Sequence, residues 1–350
     1  MIVTVTLNAA VDKTYYVSGF AAGAVQRVRR QIAEPGGKGN NVAQIVRLLG
    51  GEAAATGFSA GGAGAFIEER LAARGIGTAF VRIAGESRTC LNIVDEASGA
   101  STELLEEGPA VGDAEVADIK DAVGRLGGRA SVVVLSGSLP AGAPADLYAE
   151  LVGIARAAGA RVYLDASGEA LALGIGARPD LIKPNEEELA RLSGRKRLEA
   201  SQLTQTAAKL HGQGVGQVCA TLGRRGAVAC IDGKLYRVVA PRVAAVSAVG
   251  CGDAFVAGMA YAEEQGLPAE DRLRAAAAAR SGCGDDGPGR RTRPGRIRAP
   301  SGPRGSPAAV SRRHRFCNRA SRGRHRIRPV GVVIVANRPP SPSQCRKIRR

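Results

Sequence analysis

Short apolar runs alternate with longer stretches of helical spacing through the first 279 residues. Residues 2–7, 132–135, 162–164 and 218–222 are rich in β-branched and other apolar side chains, which suits strands buried on both faces. Between them, residues 42–49, 145–158 and 185–192 carry apolar positions three and four apart and predict helices. Strands alternating with helices imply βαβ units, hence an α/β fold with a mainly parallel sheet covered by helices. Residues 227–231 and 235–239 flank Asp232-Gly233-Lys234, a hairpin signal in which Asp-Gly supplies positive φ. Residues 254–264 predict another helix, with Gly266 where a C-terminal cap belongs. Two pieces, 15–28 and 89–105, interrupt the rhythm and predict antiparallel ribbon, a small sheet standing off the main one as a lid.

The pattern ends near residue 280, and the charge begins there. The whole chain of 350 residues carries +17, which taken alone suggests a nucleic-acid or membrane-surface binder. Residues 280–350 hold 20 basic and 2 acidic residues, whereas residues 1–279 hold 29 and 30, so the body is electrically balanced. The final segment has 19 Arg, one Lys, 9 of the 17 Pro and one aromatic, Phe316, and its only apolar run is 331–336. Such a composition predicts no packed core. Arg, Pro, Gly, Ser and Ala are also what GC-rich DNA yields out of frame, so 280–350 is read as an aberrant or disordered tail, a frameshift product. A disordered nucleic-acid-binding arm is the functional alternative.

Aromatic residues make up 3% of the chain and Trp is absent, which disfavours a stacking platform for single-stranded nucleic acid. No apolar stretch of the body approaches the ~18 residues of a membrane span. The opening MIVTVTLNAAVDK lacks the basic region of a secretory signal. The seven Cys are scattered and none form C-x-x-C, so neither a disulfide framework nor a zinc site is expected, and a cytoplasmic, reduced protein is.

Several motifs carry chemistry. Gly250-Cys251-Gly252-Asp253 immediately precedes the helix at 254–264. Glycines before a helix let backbone N–H groups converge on an anion, and Asp253 could take a proton from an alcohol beside them. Read alone, the same residues also suit an Asp-capped turn. Gly36-Gly37-Lys38-Gly39-Asn40-Asn41 is a second glycine-rich turn entering a helix; Asn40 after Lys38-Gly39 rules out a Walker A loop. Its ammonium and two amides suit a polyol phosphate. In Lys183-Pro184-Asn185-Glu186-Glu187-Glu188, Asn185 and Glu188 stand i, i+3, a pair that can hold waters around Mg²⁺ and equally a capped acidic first turn. Ser136-Gly137-Ser138-Leu139-Pro140 follows a strand, where open α/β sheets bind ligands. Thr221-Leu222-Gly223-Arg224-Arg225-Gly226 is a strand-to-hairpin turn that could approach a nucleotide. Residues 282–287 match G-x-G-x-x-G, but no strand precedes them and no helix follows, so they are rejected as a dinucleotide site.

The order of these motifs is more specific than any one of them. With Thr6-Leu7-Asn8-Ala9-Ala10-Val11-Asp12, Arg88-Thr89-Cys90-Leu91-Asn92 and Asp165-Ala166-Ser167-Gly168, the body resembles the phosphofructokinase-B group of ribokinase-like sugar kinases. Within the group it looks most like the 1-phosphofructokinases and tagatose-6-phosphate kinases. The resemblance implies a three-layer α/β sandwich over 1–279 with lid segments near 12–30 and 86–106. It implies Asp253 as the base, with the amides of Gly250, Cys251 and Gly252 as anion hole. Asp12, Gly37, Lys38 and Asn41 would hold the sugar, with Cys90 beside them. Arg88 and Ser138 would meet the phosphate already on it. Lys183, Asn185, Gly252 and the turn Thr221, Leu222, Gly223, Arg224, Arg225 and Gly226 would contact ATP. Asn185 and Glu188 would serve Mg²⁺ through water, and a monovalent cation and a homodimer clasped through the lids are further implications.

The resemblance thus implies phosphorylation of a ketohexose monophosphate by ATP, fructose 1-phosphate by preference, with tagatose 6-phosphate or fructose 6-phosphate as alternatives. Ala9 stands where the group usually has Pro, Cys251 where Ala is commoner, and Ser247-Ala248 where Asn is followed by Pro or Thr. The alanine-rich helix expected at 275–279 begins, and then the match stops. The group's last segment normally completes the adenine pocket, so the competing reading is an inactive kinase-like remnant whose basic tail binds nucleic acid nonspecifically.

Overall fold

The computed structural model describes residues 1–239, 250–282 and 333–337. Ser247-Ala248, most of the 280–350 segment and all but the first residue of the 282–287 motif lie outside them. In chain order the elements are β1 (Ile2–Thr6), β2 (Ala10–Val17), β3 (Arg30–Gly36), α1 (Lys38–Leu48), β4 (Ala53–Ala60), α2 (Gly61–Ala72), β5 (Gly77–Thr78), β6 (Val81–Ile83), β7 (Arg88–Asp95) and β8 (Ser101–Leu105). They continue with α3 (Asp113–Gly127), β9 (Val132–Ser136), α4 (Leu147–Ala157), β10 (Arg161–Asp165), α5 (Gly168–Gly176), β11 (Leu181–Ile182), α6 (Glu186–Leu192), α7 (Ala200–Gly212) and β12 (Gln217–Thr221). The hairpin β13 (Ala227–Ile231) and β14 (Lys234–Val239), then α8 (Cys251–Glu264), α9 (Ala269–Gly282) and β15 (Val333–Asn337), complete the described chain.

The large sheet runs β15-β14-β13-β12-β11-β10-β9-β1-β4-β5, with β6 also on β4. From β5 to β12 every pairing is parallel, and the three from β12 to β15 are antiparallel. The continuous apolar runs of β1 and β9 have their physical reason here, because successive side chains feed two cores. Val3, Val5, Val133 and Leu135 pack with Ile119, Leu147, Leu151 and Leu203 of α3, α4 and α7. Ile2, Val132 and Val134 pack with Val42, Ile67, Phe255, Met259 and Leu273 of α1, α2, α8 and α9. The molecule is therefore a three-layer sandwich.

Helix α9 is alanine-rich because it lies close to α8. A Cβ at Gly258 would come within 2.6 Å of the Ala276 Cα. At its far end α8 is tied to the sheet: the Tyr163 hydroxyl and the Gln217 amide donate to Glu263 Oε2 at 3.0 and 3.1 Å, and Arg272 pairs with the same carboxylate. These contacts fix the helix whose first turn carries Asp253.

The lid is a separate four-stranded sheet, β3-β2-β7-β8. It differs from the expected ribbons in two ways. Residues 18–28 are not strand; β2 ends at Val17, the Arg29 N–H donates to Tyr16 O (2.9 Å), and pairing resumes at Arg30, running Tyr16↔Arg30 to Ala10↔Gly36. The glycines at 19 and 23, both at positive φ, make that stretch a loop. Further, β2 and β7 pair in parallel, with Asp12 opposite Cys90, so the two ribbons become one sheet. The 227–239 hairpin forms as expected, with Asp232 and Gly233 at φ 50° and 70°. The apolar run at 331–336 also contributes to an element: β15 pairs antiparallel with β14 from Leu235↔Asn337 to Val239↔Val333. Among the described residues no helix is long and apolar enough to cross a membrane.

Candidate active site

At the carboxyl ends of β1, β9, β10 and β12 the sequence motifs converge, at the edge where parallel sheets bind ligands. Gly250 takes a left-handed conformation (φ 77°) and caps α8, which starts at Cys251 rather than after Asp253. The Cys251, Gly252 and Asp253 amides therefore belong to a helix's first turn, where the helix itself offers them no carbonyl. Asp253 lies in that turn, 6% exposed, and the Asn41 side-chain amide donates to its Oδ2 at 2.9 Å. Burial, and then the nearby Asp165 carboxylate, push the Asp253 pKa up to about 7 against the lowering effects of Asn41, Lys38 and Lys183. Such a carboxyl exchanges its proton near neutrality, as a general base requires.

Asp165, at the end of β10, joins two lysines. Its Oδ1 lies 3.3 Å from Lys183 Nζ and 3.6 Å from Lys38 Nζ. Asp165 is 1% exposed, and neither carboxylate oxygen makes a hydrogen bond among the described residues. Lys183 is buried too, and its ammonium lies against Gly252, where a Cβ would come within 3.3 Å of Nζ. A side chain at 252 would thus press on the lysine at the α8 N-terminus. Burial lowers the Lys38 pKa, but Asp165, Asp253 and Glu188 outweigh it, and the ammonium is held above the usual lysine value.

Asn185 and Glu188 cap one another at the start of α6. The Glu188 N–H donates to Asn185 Oδ1 and the Asn185 N–H to Glu188 Oε2, both at 2.8 Å. The capped-turn and cation readings are compatible, because capping aims the carboxylate at the cleft, where it acts on Lys38. Among the described residues no group of three or more His, Cys, Asp or Glu is arranged to hold a metal directly. The oxygen donors of Glu188 and Asn185 suit a hard cation that keeps its waters, such as Mg²⁺. Asn185 is bridged to Thr221, whose N–H donates to Pro184 O at 3.0 Å. The following turn, Leu222 to Gly226, is closed by Leu222 N–H to Gly226 O (2.8 Å) and clamped from outside. Arg225 pairs with Glu186, and Arg280 donates to the carbonyls of Gly223 (2.8 Å) and Gly226 (3.3 Å). Arg224 is exposed on the same turn.

The lid supplies the other end of the cleft. Asp12 of β2 packs on Gly36, where a Cβ would overlap its carboxylate at 2.1 Å, so a side chain there would have to push the carboxylate aside. Burial raises the Asp12 pKa to about 6, opposed by Arg88 and reinforced by Glu103. Cys90 stands across from Asp12, its thiol pushed up chiefly by burial. Arg88 donates from Nε to Asn8 O (3.3 Å) and from Nη1 to Glu106 O (3.1 Å). The Asn8 side chain donates to Ser138 Oγ at 3.3 Å. The two amides of the second glycine motif part company: Asn41 reaches Asp253, while Asn40 is fully buried and spent on Gly36 O (2.8 Å) and Thr6 Oγ1. Asn40 is structural, and Gly37 and Lys38 open the cleft between them.

Asp165 and Asn8 were quoted within motifs but given no role by the sequence. Asp165 carried one signal, an acid at the carboxyl end of an apolar strand; Asn8 carried none, because its partners, Arg88, the Glu107 carbonyl and Ser138, lie far along the chain.

Residues 5–283 match the family model described as pfkB family carbohydrate kinase. A 1-phosphofructokinase of Rhodobacter capsulatus is 39% identical over 289 residues, 82% of this chain and 92% of the relative. A tagatose-6-phosphate kinase of Staphylococcus epidermidis is 36% identical over 263 residues, 74% and 84% of the two chains. The structure of tetrameric inhibited phosphofructokinase-2 from Escherichia coli superposes with a TM-score of 0.77 at 29% identity, covering 81% of this chain and 93% of that one. With the family model spanning residues 5–283 and a relative 39% identical over 82% of its length, the chain belongs to the pfkB family of carbohydrate kinases.

Proposed function

We propose that the chain transfers the γ-phosphoryl group of ATP to a free hydroxyl of a ketohexose monophosphate, fructose 1-phosphate first, yielding fructose 1,6-bisphosphate. The observation that carries this is Asp253: a buried carboxyl with a pKa near 7, oriented by Asn41, in the first turn of α8 and flanked by two lysines. The hydroxyl proton passes to Asp253 as its oxygen attacks the γ-phosphorus, and the bond to the β,γ-bridging oxygen breaks, leaving ADP. The amides of residues 250–252 and the ammonium of Lys183 face the charge that moves between donor and acceptor. Asp12, Gly37, Lys38 and Asn41 hold the sugar, with Cys90 lining it, and Arg88 and Ser138 meet its phosphate. The clamped 221–226 turn lines the nucleotide.

Sugar kinases of this family use ATP with Mg²⁺. Asn185 and Glu188 would hold the ion through water, where it would neutralise phosphate charge. A monovalent cation joins by likeness to the E. coli phosphofructokinase-2 structure solved with potassium; no residue is assigned to it. The tagatose-6-phosphate kinase relative favours tagatose 6-phosphate as the second substrate reading, ahead of fructose 6-phosphate. Coupled ADP release by the full chain with all three sugars tests this: the highest kcat/KM on fructose 1-phosphate supports it, and turnover of none overturns it.

Three further readings accompany the first. Phe20, Val25, Val28, Leu104 and Leu105 are exposed large apolar side chains on the lid, which suits a dimer clasped lid to lid in the cytoplasm. Leu105→Glu should halve the sedimenting mass, and an unchanged mass would refute the clasp. The Arg-rich 280–350 segment, beyond its first residues in α9, is a frameshift product, a reading supported by the family match ending at 283 where the Arg-rich composition begins. A family-like continuation in another frame of the encoding DNA supports it; absence from both other frames overturns it. Nucleic-acid affinity, where measured, belongs to that segment, is nonspecific, and is lost with salt and on its deletion.

A further inference from the structure

We propose, building on the sugar-phosphate reading above, that Asn8 is the positioning residue of the subsite for the phosphate the sugar already carries. It turns the Ser138 hydroxyl and the Arg88 guanidinium toward one anion. Asn8 sits in the β1–β2 turn and is 8% exposed. Its Nδ2 donates to the Glu107 carbonyl at 2.9 Å, and a carbonyl can only accept, so the amide's orientation is fixed. The same Nδ2 donates to Ser138 Oγ at 3.3 Å. Ser138 therefore receives a hydrogen bond from the protein and keeps its own O–H to give.

That hydroxyl is on an exposed residue just past the carboxyl end of β9, where a ligand can reach it. Meanwhile the Asn8 main-chain carbonyl takes Arg88 Nε at 3.3 Å, and Glu106 O takes Nη1 at 3.1 Å. These two contacts engage Nε and Nη1 on different sides of the guanidinium, and Nη2 makes no hydrogen bond among the described residues. One residue thus gathers a hydroxyl donor and a cation from two strands distant in sequence, a pairing that suits a phosphate dianion. Gly108 enforces the arrangement from outside: it has φ 89°, and a Cβ there would come within 2.5 Å of Asn8 Oδ1. That oxygen is buried without a hydrogen bond, so Asn8 is held by its donors and by packing.

The test is titration calorimetry on the full chain with fructose 1-phosphate and, separately, with ATP. In Asn8→Ala the main-chain anchor of Arg88 survives, while the amide's bonds to Ser138 and to the Glu107 carbonyl are lost. Affinity for the sugar phosphate should fall about tenfold, as for one hydrogen bond to a charged group, with ATP affinity within about twofold. Asn8→Asp keeps the shape, removes both donors and adds a negative charge, so it should lose more sugar phosphate affinity than Ala does. In a Ser138→Ala background, Asn8→Ala should cost nothing further. Equal loss for both ligands, loss for neither, or additive losses in the double variant would overturn the positioning role. A wild-type chain that binds no ketohexose phosphate would instead overturn the functional reading beneath it.

Discussion

Two aspartates of the candidate site, Asp253 buried on α8 and Asp12 half-buried in the lid, differ in their surroundings. Asp253 stands in the first turn of a helix fixed to the body, with burial first and then a second carboxylate, Asp165, raising its pKa to about 7. Asp12 stands in the lid, where Arg88 opposes burial and leaves it at about 6. Near neutrality the first is poised to take a proton, and the second is largely an anion that accepts hydrogen bonds. Burial raises both, and the neighbouring charges differ: Asp165 against two lysines beside Asp253, and Arg88 against Glu103 beside Asp12.

Asp253→Asn should break this contrast most. Loss of the base should lower kcat by about 10²–10⁴-fold, while ATP affinity changes by about twofold at most. Steady-state kinetics with near-wild-type turnover would refute the assignment. In the wild type, log kcat should fall by about one per pH unit below 7 as Asp253 protonates. The same group predicts a stability effect of opposite sense. Its folded pKa lies above the ordinary 3.8, so the stability it contributes is present at low pH and lost as pH rises from about 4 to about 7. Asp253→Asn should therefore be more stable than wild type at pH 8, by about 2–4 kcal/mol, and the gap in thermal midpoint should close toward pH 4.

Much of this was legible in the sequence because it is local. The glycines before α8 and the i, i+3 pair of α6 are contiguous, so their chemistry can be read from neighbours. So could the doubly buried strands, since continuous Val-Ile-Leu runs have no polar face. The lid was only half legible: its strands announce themselves by alternation, but the parallel joining of β2 to β7 depends on a crossover through the body. Asp165 and Asn8 were illegible as working residues because their partners are assembled by the fold. Asn40 and Asn41 show the limit most clearly. They are adjacent amides, and only helix geometry decides that one is buried under the turn and the other reaches Asp253.

Asp165→Asn should have the next largest effect, because it removes the like charge from the Asp253 end. The acid limb of the kcat profile should move to lower pH, since Asp165 is what raises Asp253 after burial. Stability should drop by about 3 kcal/mol, because the buried Lys183 loses its partner. An unmoved acid limb would show that burial alone sets the base. At the lid end, Asp12→Asn should raise the KM for sugar phosphate about tenfold with a smaller effect on kcat. Wild-type KM should likewise rise below pH 6 as Asp12 protonates. An equal fall in kcat would give Asp12 a part in the chemistry and dissolve the contrast.

The smallest expected effect concerns what holds the nucleotide side in place. Arg280 is the last basic residue of α9, and its guanidinium reaches back to the Gly223 and Gly226 carbonyls. It stands where the charge balance of the chain changes, yet it belongs to the body, because it closes the turn that continues from the bridged Asn185 and Thr221. These bonds are partly solvated, so Arg280→Ala should raise the KM for ATP only about two- to fivefold and leave the sugar KM and the acid limb unchanged. A matching rise in both KM values would mean that α9 supports the whole cleft through α8, not the 221–226 turn alone.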